Sequence, residues 1–129
     1  VKKDWYQQGD VIIEPLSARG MEFPAQGKPM TQKDGRGYLL ALGEVTGHAH
    51  ALSEMDGVEV VEATQKILVL RDGREEEEEV RYFIRITNKK GGTLRHEEHA
   101  TQTLPPGDYV VRGVREYDHF AEEARRVID

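Results

Sequence analysis

Val58-Glu-Val-Val-Glu-Ala-Thr-Gln-Lys-Ile-Leu-Val-Leu70, then Asp72-Gly73, five consecutive glutamates and Val80-Arg-Tyr-Phe-Ile-Arg-Ile-Thr87, is the stretch that decides the fold class. Its apolar residues are β-branched or aromatic, come in runs of strand length, and flank an Asp-Gly dipeptide that favours a hairpin turn. We read Val58–Ala63, Ile67–Leu70 and Val80–Thr87 as strands. The Glu75–Glu79 run reads as a solvated hairpin tip or edge, because adjacent carboxylates repel and resist tight packing. It lacks the spaced ligands and turn glycine of a calcium loop.

The same grammar extends in both directions. Val11–Leu16 reads as a first strand, and Tyr38–Val45 as a second that continues through Gly47-His-Ala-His50 to Leu52. Thr93–His96, Thr101–Leu104 and Tyr109–Val114 complete the set. Asp56-Gly57 and Pro106-Gly107 are tight-turn dipeptides, and Asn88-Lys-Lys-Gly-Gly92 is a longer connection. The expected fold is mainly β, a single antiparallel β-barrel or β-sandwich with a short C-terminal helix, residues 1–129 forming one domain. Residues 17–37, with Pro24, Pro29 and several glycines, are expected to form a long loop of the kind that often covers a site. Residues 118–129 suit a helix capped by Asp118, with Phe120, Ala124, Val127 and Ile128 roughly on one face, able to dock on the β domain or on a second subunit.

Composition narrows the chemistry. The chain has no cysteine, so disulfides and thiolate zinc sites are excluded and any metal must be held by His, Asp, Glu or water. A hydrophobic content of 37% spread along the chain argues against wholesale disorder. No apolar stretch approaches membrane-spanning length and the first residues lack the apolar run of a signal peptide, so no membrane partner is expected and a cytoplasmic location is. A net charge of −6 with scattered basic residues argues against duplex DNA as a partner. A small molecule or a short nucleotide remains a compatible substrate, and a homo-oligomer a compatible state.

Four of the five histidines fall in two short groups, His48 and His50 in Gly-His-Ala-His, and His96 and His99 in His-Glu-Glu-His. Residues i and i+2 of a strand point to one face, so His48 and His50 can reach the same ion. His96 and His99 would diverge on a straight strand and converge only if the chain bends or bulges between them. If one stays out, Glu98 shares strand parity with His96 and becomes a ligand or general base. Glu44 shares parity with His48 and His50 on the strand as read. The roughly 45 residues between the two groups are easily closed by a sheet. Tyr109, in the last strand region, could line a pocket, and His119 reads as an ordinary helix-start residue.

Gly43-Glu-Val-Thr-Gly-His-Ala-His-Ala-Leu-Ser-Glu54 resembles the first metal motif of the cupins. That resemblance implies a small β-barrel with His48, His50 and Glu54 as ligands and His96 or His99 as the last one. The order differs later, since Pro105-Pro-Gly107 follows these histidines whereas a cupin turn of this kind precedes its final ligand. Across the whole chain, Gln8-Gly-Asp-Val11, Gly43–His50, His96–His99, Leu104–Tyr109 and Arg115-Glu-Tyr117 resemble an ordered set of motifs in small bacterial proteins, a likeness that brings no activity with it.

The leading expectation is a divalent metal, zinc foremost and iron, manganese or nickel as alternatives, held by His48, His50, His96 and His99, with Glu44 or Glu98 as catalytic base. Hydrolysis by metal-bound water is the simplest chemistry, and cupin-type oxygenation or isomerisation fits the same ligands. The alternatives are an interaction module with a structural histidine group, and metal-free phosphodiester cleavage with two imidazoles as acid and base.

Overall fold

The computed structural model describes residues 5–9, 11–42, 49–71 and 73–113. Two antiparallel sheets make up the fold. The strands, in chain order, are β1 (Tyr6–Gln8), β2 (Val11–Pro15), β3 (Lys28–Pro29), β4 (Lys33–Asp34), β5 (Gly37–Leu42), β6 (Ala49–Leu52), β7 (Val58–Arg71), β8 (Arg74–Ile86), β9 (Gly92–Arg95), β10 (Gln102–Leu104) and β11 (Gly107–Gly113). One sheet runs β1-β2-β11-β8-β7-β3 and the other β10-β9-β6-β5-β4. Each has its own two edge strands, so the barrel expected as one option is not closed. The expected C-terminal helix lies outside the described residues.

Two strand boundaries differ from the sequence reading for physical reasons. Tyr38 to Leu52 is a hairpin, with Tyr38 opposite Leu52 and Leu42 opposite Ala49. The apolar residues on both sides of Gly43 and Gly47 had read as one continuous strand. Conversely, Val58–Ala63 and Ile67–Leu70 belong to a single strand. Its register against β8 shifts between Glu62 and Gln65, so Ala63 and Thr64 face Arg81 alone. A bulge of this kind adds twist without ending the strand. The polar residues Thr64 to Lys66 are therefore a kink rather than a loop.

The glutamate run is the distal part of β8, paired with Lys66–Leu70, and the turn lies beyond it. Glu78 turns inward to Arg112 at 3.4 Å, while its four neighbours are exposed. On the partner strand Ile67 and Val69 are buried, whereas Leu68 and Leu70 face solvent. The Arg19 guanidinium donates to the Leu68 carbonyl at 2.5 Å, so a backbone acceptor on β7 is occupied by a charged side chain. Such a contact discourages strand addition at an exposed edge.

The main core lies between the sheets. Ile13, Val60, Ile84 and Tyr109 from one sheet meet Leu40, Leu52, Leu94 and Leu104 from the other. A second cluster gathers Phe83, Val110, Val61, Ile67 and Val69 around Leu16, at the start of a 3₁₀ turn spanning Leu16–Arg19. Met21 and Phe23 close over it, so the first part of the 17–37 excursion covers hydrophobic surface. The excursion also contains β3 and β4, and its end borders the cleft described below.

Tyr109 is buried at 3% exposure and donates its hydroxyl to the Pro105 carbonyl at 2.5 Å. It is a core residue, and the expectation that it could line a pocket gives way to that role. Burial pushes its phenol up to about 12. The raised value favours the neutral form in the folded state, so its contribution is complete below the ordinary tyrosine value of about 10 and is lost as pH rises through about 12. Urea unfolding between those limits is expected to show stability falling with pH. In Tyr109→Phe that component of the alkaline slope should vanish; an unchanged slope would refute the assignment.

Candidate functional site

The histidines gather where β6, the end of β1 and the segment after β9 meet. His50 sits on β6 and is buried at 3% exposure. Its sequence neighbours Ala49 and Ala51 are also buried, so a polar ring here needs a partner. Gln8, at the end of β1, supplies it. The Gln8 amide nitrogen donates to two backbone carbonyls, Leu94 at 3.0 Å and Ala100 at 2.8 Å. Its oxygen therefore faces His50 Nδ1, 3.0 Å away. An amide oxygen only accepts, so His50 Nδ1 carries the proton and Nε2 bears the lone pair in the neutral ring. Gln8 thus orients His50 and ties β1 to the segment after β9. Gln102 adds a second tie by donating to the Gln7 carbonyl.

After β9 the chain bends through residues 97–99, the condition under which both histidines of His-Glu-Glu-His can converge. The ring centroids of His96 and His99 are 4.6 Å apart. Those of His50 and His96 are 4.3 Å apart, and those of His50 and His99 6.1 Å, the latter pair nearly parallel at 10°. The Glu98 backbone N–H donates to His96 Nδ1 at 3.0 Å, so the lone pair of His96 is on Nδ1 and its Nε2 carries the proton in the neutral ring. His50 and His96 thus hold opposite tautomers. Two positive charges about 4 Å apart at an effective dielectric near 20 would repel by about 4 kcal/mol, which disfavours protonating both.

Gly9 closes this group from the β1 side, with φ of +55°. A Cβ there would lie 2.6 Å from His99 Nε2 and 3.2 Å from His50 Cε1, so both the backbone angle and the space call for glycine.

The two glutamates play different parts. Glu97 accepts from the Ala49 backbone N–H at 3.1 Å and from Arg36 at 2.9 Å, binding the bend to β6 and to the β4–β5 turn. Glu98 is exposed, and its backbone N–H donates to His96 Nδ1. Glu54, a ligand by the cupin resemblance, forms an ion pair with Lys33. His48 and Glu44 lie outside the described residues, as does His119. Among the described residues, no set of three or more His, Asp or Glu side chains has its donor atoms gathered as a metal cage.

Beside His96 opens a cleft of about 660 Å³. Buried Ala49 and Ala51 line it, together with Ser53, Arg95 and Thr101. Arg36 also lines it and is held between Asp34 at 2.8 Å and Glu97 at 2.9 Å. Hydrogen bonds from Arg36 hold the Asp34 carboxyl below its ordinary value.

Gln8, Gly9 and Arg36 were not singled out by chemistry in the sequence. Gln8 and Gly9 do fall within the recurring Gln-Gly-Asp-Val motif, the one signal that could have drawn attention to them.

Fold and site define a small two-sheet antiparallel β domain with three clustered imidazoles, one of which, His96, lines a cleft. The chain belongs to the family described as "Domain of unknown function (DUF8820)", whose model matches residues 7–113, a span that runs from the Gln8 clamp through both sheets. No curated protein and no solved structure matches the chain. Among the described residues no helix is long and apolar enough to cross a membrane.

Proposed function

We propose that this protein binds one divalent metal ion, zinc foremost, through His50, His96 and His99, with His48 as a further ligand by its i, i+2 spacing, and uses it for hydrolysis. The observation that carries this reading is the gathering of three rings within 4.3–6.1 Å around a buried His50 whose Nδ1 proton is held by Gln8. Metal-bound histidines commonly donate their second ring N–H to a fixed acceptor, which sets the tautomer and leaves Nε2 for the ion. His96 would exchange its bond from the Glu98 N–H for the ion. That bond contributes about 1 kcal/mol, small beside the roughly 10–16 kcal/mol of a structural zinc site. When bound, the ion would lower the pKa of a coordinated water. Glu98, the base candidate on described residues, shares a short segment with two of the rings.

Titration of the metal-free protein with zinc is expected to saturate at one equivalent. His50→Ala should weaken binding by more than the roughly 10–100-fold typical of losing a supporting contact. A chain that takes up none of zinc, iron(II), manganese(II) or nickel(II) would overturn the reading.

The opposite tautomers favour one second reading, metal-free acid–base catalysis with His50 Nε2 as acceptor and His96 Nε2–H as donor. Phosphodiester cleavage that persists in chelator and disappears in His50→Gln would select it.

A further inference from the structure

We propose that the cleft beside His96 is the seat of a small organic monoanion, a carboxylate held by Arg95 with its apolar part on the Ala49–Ala51 floor. This names the substrate class for the histidine site and to that extent rests on the proposed function, but the binding step does not require a metal.

Charge pairing in the cleft singles out Arg95. Arg36 is committed to Asp34 and Glu97, and Lys33 to Glu54. Arg95 lines the same cleft, is exposed, and makes no ion pair among the described residues. His96 lines the same cleft, so an anion on the Arg95 guanidinium shares that space with one of the three rings. A guanidinium presents parallel N–H donors that match the two oxygens of a carboxylate. The Ser53 and Thr101 hydroxyls border the same space.

Valence follows from the remaining charges. Asp34 and Glu97 are paired with Arg36, and Glu54 with Lys33, so Arg95 is the cation of the cleft that makes no ion pair among the described residues. A dianion or polyanion would bring further negative charge against three carboxylates with Arg95 alone to meet it, whereas a single carboxylate can place its whole charge on that guanidinium. The size agrees, since about 660 Å³ falls within the usual range for small-molecule clefts. The floor is also neutral and flat, because Ala49 and Ala51 are buried with small side chains.

The test is binding of benzoate to the metal-free full chain, followed by chemical-shift perturbation and calorimetry. Saturable binding is expected, with shifts centred on Ala51, Arg95 and Thr101. Neutral benzamide and inorganic phosphate should bind at least 10-fold more weakly. Arg95→Gln should lose at least 10-fold in benzoate affinity while keeping the fold by circular dichroism and taking up zinc as the parent does. His50→Ala should lose zinc and keep benzoate, so failure of the metal reading and failure of this one are separable. Absence of saturable benzoate binding, equal affinity in Arg95→Gln, or phosphate or benzamide binding within 10-fold of benzoate, would each overturn the proposal.

Discussion

Gln8→Leu is expected to unfold the protein at markedly lower denaturant and to weaken the proposed zinc uptake together. The leucine fills similar space but removes three hydrogen bonds, those to the Leu94 and Ala100 carbonyls and the one to His50 Nδ1. Two of them are buried, and each buried group left without a partner costs about 1–3 kcal/mol, so a total loss of roughly 2 kcal/mol or more is expected. That is a large fraction of the 5–15 kcal/mol typical of a domain. Loss of the contact that sets the His50 tautomer should reduce zinc affinity by roughly 10–100-fold. Urea unfolding and zinc titration on the same samples check both parts. A variant with parent stability would mean that the clamp between the strand ends is not maintained in solution.

Phe83→Ala should give the second large effect, on stability alone. Phe83 is fully buried on β8, opposite Val61 on β7 and Val110 on β11. Deleting a buried phenyl ring typically costs 3–5 kcal/mol, partly through the cavity left behind. Its cluster is separate from the one between the sheets. Variant protein still folded at low temperature should therefore take up zinc with the parent stoichiometry. A denaturation midpoint within error of the parent would show that the Leu16 cover is not closed over this cluster.

Much of the strand content was legible because burial writes itself into short β-branched runs. Val11 to Glu14 and Tyr109 to Val111 alternate or pack as expected, and their pairing as neighbouring strands follows. What escaped was chain direction. Ala49-His-Ala-Leu52 is buried on both faces, with all four residues inaccessible, so no alternation marks where the strand began. The hairpin with β5 was consequently read as continuation. Thr64-Gln-Lys66 misled in the opposite sense, because polar residues at a bulge look like a loop when only periodicity is read.

The histidines were visible as a pattern, and the requirement for a bend in His96–His99 could be stated from strand geometry. Which partner would set each ring could not. Gln8 lies 42 residues from His50 and 86 from Leu94, and an amide carries no periodicity to announce its contacts. Arg36 and Glu97 likewise meet across 61 residues.

The reach of Gln8 has a kinetic side. β1 comes near the start of the described chain, and the bend it clamps comes near the end. Closing so long a loop is slow in the entropic sense, and contacts of this separation form late in folding. A nascent or partly folded chain would hold its imidazoles apart. His50 gains its Gln8 partner only when β1 has docked, so an ion or substrate that needs this ring held in one tautomer selects finished molecules over unfinished ones.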